Sequence, residues 1–198
     1  MPTFTTNFTL NVIPVWEQLF RRVKWNAGAK RTAIEIGSHE GASALWWTAN
    51  LLKSPESVLY CIDPWEDPWQ DGPARFALFQ KNIAESPDRG KIRTMRARSF
   101  DALAGLIREG VRADFIYVDG DHTARGALED MVLAFRLLKV GGLMLCDDYQ
   151  WVEPGRKADD LLARPKMAID AFTTIYADRL RVILSVPIIQ TAFVKTAD

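Results

Sequence analysis

Thr32-Ala33-Ile34-Glu35-Ile36-Gly37-Ser38-His39-Glu40-Gly41-Ala42-Ser43 is the stretch that decides the fold. A short apolar, β-branched run stops at a glycine. A second glycine then leads into a helix-forming segment, residues 42–52. That order is a strand passing into a crossover helix, and it repeats along the chain. Upstream, residues 14–26 place Val15, Trp16, Leu19, Phe20 and Val23 at helical spacing. Downstream, the pattern predicts strands at 58–62, 91–97, 114–118 and 143–146, with helices at 75–84 and 99–108. After the fourth strand, a helix sets Leu128, Met131, Val132, Phe135 and Leu138 on one face, and Gly141-Gly142 is expected to end it. In the last helix, 167–176, Ala168, Phe172, Ile175 and Tyr176 are expected to point inward. Two apolar runs, 181–185 and 188–195, flank Val186-Pro187 and read as an antiparallel hairpin at one sheet edge. The fold class is therefore α/β, a doubly wound, mostly parallel sheet with a C-terminal antiparallel hairpin.

Composition narrows the function. The 198 residues hold 25 Lys+Arg, 25 Asp+Glu, 48% hydrophobic residues and 2 Cys, as expected for a single domain, 1–198. Residues 1–28 read as an N-terminal arm and helix, and 149–164 as an active-site loop containing Pro154-Gly155. Charge balance removes the basic excess that binding to nucleic acid or an anionic membrane requires. Cys61 and Cys146 lie in apolar runs without CxxC spacing, which fits reduced core thiols in a cytoplasmic protein and leaves no cysteine zinc site. No run approaches the roughly 20 apolar residues of a membrane span, and the first residues lack the pattern of a secretory signal. Dimerisation through an apolar edge or the N-terminal arm is compatible with this sequence.

Ligands of such sheets bind beyond the carboxyl ends of the strands, and those ends are acidic here: Glu35, Asp63, Asp119, Asp121, Asp147 and Asp148. The first turn is not a dinucleotide fingerprint, because His39 occupies the position where a second glycine would let a pyrophosphate approach. S-adenosylmethionine fits better. Gly37 lets the chain pass close under its methionine portion, Ser43 at the helix start can donate to its carboxylate, and Asp63 can accept both ribose hydroxyls. Ser99 can meet the adenine edge and Trp65 its face. Trp65, Trp69, Tyr149 and Trp151 all follow strand ends, where aromatic rings can surround one mouth.

With Glu35 to Ser43 as a first motif, Cys61-Ile62-Asp63 as a second and Leu137-Leu138-Lys139-Val140-Gly141-Gly142 as a late glycine turn, the chain resembles the class I S-adenosylmethionine-dependent methyltransferases, which have a Rossmann-like fold. Family members usually have proline at the place of Val140. The resemblance assigns Glu35, Gly37, Ser38, Gly41, Ser43, Asp63, Trp65, Ser99 and Asp119 to the cofactor. Tyr117-Val118-Asp119-Gly120-Asp121-His122, followed by Leu145-Cys146-Asp147-Asp148-Tyr149, further resembles the metal-dependent O-methyltransferases of the catechol and antibiotic-sugar types. It implies Asp119, Asp147 and Asp148 as ligands of a divalent cation, with Mg²⁺ suited to three hard oxygen donors. His122 falls where catechol-type relatives carry a lysine base. The implied reaction is in-line methyl transfer to a hydroxyl of a small molecule. Three alternatives stay open at this point: a metal-independent O-methyltransferase, an N-methyltransferase, and a non-catalytic nucleoside-binding protein. For isolated residues, Asp119-Gly120 as a turn and Asp147-Asp148 as a helix cap are the simpler readings.

Overall fold

The computed structural model describes residues 2–6, 9–66, 71–152, 155, 157, 160–183 and 189–198. Its strands are β1 (Thr32–Ile36), β2 (Val58–Asp63), β3 (Ile92–Arg96), β4 (Ala113–Val118), β5 (Leu138–Cys146), β6 (Leu180–Ile183) and β7 (Thr191–Lys195). They form one sheet in the order β3-β2-β1-β4-β5-β7-β6. The first five run parallel, and β7 lies antiparallel between β5 and β6. The expected hairpin is thus present, but its second strand is inserted against β5, which leaves β6 at the edge. The Val186-Pro187 break lies outside the described residues.

Helices α1 (Thr9–Arg22), α2 (Ala42–Asn50), α3 (Gly72–Ala84), α4 (Ser99–Arg108), α5 (Ala124–Leu137) and α6 (Pro165–Ile175) complete the described fold. Period-two alternation along β4 feeds both faces. Phe115 and Tyr117 join the cluster of Trp16, Trp47 and Phe79, whereas Ile116 and Val118 join that of Leu103, Met131 and Phe172. No helix among the described residues is long and apolar enough to cross a membrane.

Three local expectations are corrected. Helix α1 begins upstream of the expected start and carries Pro14 inside it. Val12 and Ile13 pack on the Trp16 cluster, and this burial offsets the roughly 3 kcal/mol cost of an interior proline. Helix α5 ends at Leu137, before Gly141-Gly142, because Leu138 is buried and already pairs with Ala113. The next paired position is Phe115 with Leu143, so the two glycines sit in a bulge of β5, with Gly141 at φ 83°. The carbonyls at the end of α5 are met by the buried Lys195 ammonium, 3.1 Å from Phe135 O and 3.0 Å from Leu138 O. Finally, Ile175 is exposed; α6 buries Ala168, Ile169 and Phe172, while Tyr176 stacks on Phe172 at 4.4 Å.

Candidate active site

The strand order reverses between β1 and β4, which makes their carboxyl ends the switch point at which such sheets bind ligands. The backbone ladder runs one residue past each strand there. Gly37 N donates to Ile62 O (2.8 Å), Asp119 N to Ile36 O (2.9 Å) and Asp147 N to Val118 O (2.9 Å). These bonds set the loops after β1, β4 and β5 in step. Gly37 has φ +85°, and a Cβ at this position would lie 1.9 Å from the Asp119 carbonyl oxygen. The contact that demands glycine is therefore with the Asp119 backbone.

On the β4–β5 side, ligand atoms of Asp119, His122 and Asp148 all lie within 4.8 Å of one another. His122 Nε2 is 2.9 Å from Asp148 Oδ2 and 3.5 Å from Asp119 Oδ1. Burial opposes an imidazolium here, but hydrogen bonds and charges of Asp119 and Asp148 outweigh it and push the His122 pKa up to about 10. Burial and the Asp147 charge hold Asp119 well above the usual carboxylate range, against the pull of His122. Asp148 has φ 58°, unusual for a residue with a side chain, and Trp151 N donates to its carbonyl (2.9 Å). That turn sets the Trp151 ring 4.6 Å from the His122 ring. Behind the acids, Val118, Ala127, Met131, Cys146 and Ile169 supply an apolar wall to a small cavity.

Asp147 has different partners. Its Oδ1 accepts from Asp148 N (2.8 Å), and its Oδ2 accepts from Gln190 Nε2 (2.9 Å) and from the Tyr117 hydroxyl. The same hydroxyl stands 3.2 Å from Asp119 Oδ2. The structure thus groups Asp119 and Asp148 around His122 and turns Asp147 toward Tyr117 and Gln190.

On the β1–β2 side, Glu35 is fully buried and accepts from Trp47 Nε1 at 2.9 Å. Burial pushes its pKa up, against hydrogen bonds from Ser43, Ser38, Trp47 and Cys61. Asp63 Oδ2 accepts from Ser38 N (3.1 Å) and His39 N (2.9 Å), and Oδ1 from Trp65 N (2.6 Å). Asp63 therefore ties the first turn to the loop after β2. Trp65 is 3% exposed, packed on Phe76 and Phe79, with its indole N–H on His39 O (2.7 Å). It stands in the core and does not line an open mouth. Gly41 leads into α2 against Phe79. Ser99 opens α4 and hydrogen-bonds Asp130. Of the four aromatics expected around a mouth, Trp151 reaches the acid cluster. Tyr149 instead bonds Asp170 (2.7 Å) and Lys166 (2.9 Å) of α6, and Trp69 lies outside the described residues.

Several residues at this rim were not singled out from the sequence. Tyr117 and Gln190 sit in apolar runs and read as core. Asp130 carries a visible signal, since it falls on the buried stripe of α5 between Ala127 and Ala134 at spacings of three and four. The arm is pinned by Glu40 and Asn82: Thr5 N donates to Glu40 Oε2 (2.7 Å), and Thr3 N to Asn82 Oδ1 (2.9 Å). Arg75 pairs with Glu40 at 3.3 Å and contacts His39.

Residues 34–149 match the sequence family described as a methyltransferase domain. No curated protein matches the sequence. Among solved structures, the O-methyltransferase TomG of Streptomyces achromogenes, involved in tomaymycin synthesis and bound to S-adenosylmethionine, is 20% identical at TM-score 0.68, covering 100% of this chain and 84% of TomG. MycE of the mycinamycin biosynthetic pathway, in complex with Mg, SAH and mycinamycin VI, is 21% identical at TM-score 0.66, with 97% of this chain covered. The chain spans about half of MycE, 51%. An O-methyltransferase of Bacillus cereus bound to SAH is 16% identical at TM-score 0.63, covering 96% of this chain and 93% of that one. At such identities the structures establish the shared fold. With more than half its length matched by the family, the chain belongs to the methyltransferase-domain family and is a class I S-adenosylmethionine-dependent methyltransferase.

Proposed function

We propose that this methyltransferase moves the S-adenosylmethionine methyl group to a hydroxyl oxygen of a small molecule, assisted by a divalent cation, best Mg²⁺, at the carboxyl ends of β4 and β5. One observation carries the reading: Asp119, Asp148 and His122 gather their ligand atoms within 4.8 Å. The Asp119 and Asp148 carboxylates converge there, hard oxygen donors that suit a divalent ion such as Mg²⁺, with the His122 imidazole beside them left as the base. MycE, in complex with Mg, SAH and mycinamycin VI, supports the reading by likeness of fold. When bound, the cation supplies Lewis acidity that favours the deprotonated form of an acceptor hydroxyl.

The remaining work falls to the chain. Glu35, Ser43 and the turn at Gly37 would hold the methionine end of the cofactor, and Asp63 its ribose. Asp119, Asp148 and Asp147 would orient the acceptor oxygen toward the methyl carbon, a matter of positioning rather than covalent chemistry. His122 is held protonated by Asp119 and Asp148. With those carboxylates engaged elsewhere, His122 would lose the charges that raise its pKa and could take the acceptor proton. Trp151 screens that imidazole on one side.

A metal-independent reading has one observation in its favour: the His122 imidazolium already balances Asp119 and Asp148. Dialysis against chelator separates the two. S-adenosylhomocysteine release from a panel of hydroxylated small molecules is expected to stop without metal, return with Mg²⁺, and be absent in Asp148→Asn. Undiminished turnover in chelator removes the cation from the account.

A further inference from the structure

Asp147 is the first residue after β5; the adjacent Asp148 N–H holds its Oδ1, and both partners of its Oδ2 come from buried positions. Tyr117 lies inside β4 at 2% exposure, and Gln190 just before β7 at 1%. Gln190 spans two neighbours: its Nε2 donates to Asp147 Oδ2 at 2.9 Å, and its Oε1 accepts from Trp16 Nε1, also at 2.9 Å. An indole N–H only donates and a carboxylate only accepts, so this amide can satisfy both partners in one orientation alone. Trp16 is in turn fixed by ring contacts with Trp47 at 4.0 Å and Tyr117 at 5.8 Å. Trp47 also holds Glu35 of the cofactor turn.

We propose that Tyr117 and Gln190 are positioning residues of the cation site, that they hold the Asp147 carboxylate in place beside Asp119, and that Trp16 locks Gln190 so that the N-terminal helix is part of the site. This rests on the divalent-cation reading above. The Tyr117 hydroxyl stands between carboxylates from two strands, in contact with Asp147 and 3.2 Å from Asp119. It is a neutral donor that keeps two acids side by side before any cation arrives. Asp147 Oδ1 retains acceptor capacity, because a carboxylate offers about two lone-pair sites on each oxygen, of which Oδ1 uses one and Oδ2 both. Residues that hold a metal ligand from behind typically govern affinity by about 10- to 100-fold.

The test uses the full chain and the metal alone. Calorimetry with Mg²⁺, repeated with Mn²⁺, gives the cation Kd of wild type, Tyr117→Phe, Gln190→Met and Trp16→Phe; the first two substitutions keep side-chain bulk, and the third keeps an aromatic ring while removing the indole N–H. SAH titrations and cation-free melting curves run alongside. The expected result is a cation Kd raised about 10-fold or more in Tyr117→Phe and Gln190→Met. Trp16→Phe should give a rise of a few-fold, and the SAH Kd should stay within twofold. Because Trp16 acts through Gln190, the double variant Trp16→Phe/Gln190→Met should be no weaker than Gln190→Met, a non-additivity that general loosening of the core does not produce. Cation Kd values within twofold of wild type in Tyr117→Phe and Gln190→Met overturn the inference and leave the cation reading standing. Additive losses, or losses matched by SAH affinity and melting temperature, overturn the Trp16–Gln190 link. No calorimetric cation binding by wild type overturns the cation reading and this inference with it.

Discussion

Asp130 offers the sharpest test of the electrostatics beneath the site. It lies 2% exposed on α5, its carboxyl bonded to the Ser99 hydroxyl and the Asp121 backbone N–H, while Oδ2 has no hydrogen-bond partner among the described residues. Burial is the main cause that lifts its pKa from the ordinary 3.8 to about 6, with the Asp121 charge adding to it and the Ser99 bond opposing. The sign follows from linkage. A carboxyl whose pKa is higher folded than unfolded favours the folded state fully when protonated, below about pH 4, and that favour is lost as pH rises through about 6. The gap from 3.8 to about 6 corresponds to about 3 kcal/mol at pH 8 relative to acid, of which roughly half is lost between pH 5 and pH 8.

Asp130→Asn removes the titrating charge and retains a carbonyl acceptor for Ser99 or Asp121. Urea denaturation of both proteins at pH 5 and pH 8 isolates the residue, because Glu35, Asp119 and the other shifted acids are common to the pair. The Asn variant should gain about 1–2 kcal/mol on wild type in going from pH 5 to pH 8. Parallel stability profiles would show that Asp130 is not held as a buried, costly carboxylate.

Two further outcomes follow from the same geometry. Gly37→Ala should lower the melting temperature sharply and abolish SAH binding by calorimetry, since its Cβ would meet the Asp119 carbonyl at 1.9 Å and φ +85° alone costs about 1–2 kcal/mol. Gly105→Ala, inside α4 with open space around it, should instead be neutral or stabilise by up to about 1 kcal/mol. In cation-free protein, the His122 ring signals in a pH-resolved NMR series should stay those of an imidazolium past pH 8. Because its folded pKa of about 10 exceeds its unfolded value near 6.5, its stabilising contribution is complete below about pH 6.5 and fades toward pH 10. His122→Gln should therefore cost more stability at pH 6 than at pH 10; an equal cost would remove the ion-pair argument.

The parallel strands and their acidic ends were legible because both follow one-dimensional rules: period two, helical crossovers, and ligands beyond carboxyl ends. Asp63, Asp119, Asp147 and Asp148 could be named for that reason. Their hydrogen-bond partners could not. Gln190 reaches Asp147 across 43 residues and Trp16 across 174, and no local pattern encodes such pairs. Trp65 illustrates the converse error, since an aromatic after a strand end can as well turn back into Phe76 and Phe79. Gly141-Gly142 was read as a helix stop because a glycine at positive φ ends helices; the same conformation also makes a strand bulge, and the buried pairing of Leu138 with Ala113 decided between them.

The acids at the rim divide by the kind of donor that balances each, and the division argues for the proposed chemistry. Asp119 and Asp148 share a titratable partner, His122, whose charge a divalent ion can replace with loss of a proton. Asp147 is balanced by a phenol, an amide and a backbone N–H, neutral donors that need not leave. One pair is thus exchangeable and one carboxylate fixed. If a divalent ion were held there, Asp119 and Asp148 would supply its oxygens with Asp147 fixed beside them, and the His122 imidazole would be freed for the acceptor proton. Were all three acids balanced by neutral donors, metal entry would leave no base behind. Were all three paired with cations, no oriented ligand would await it.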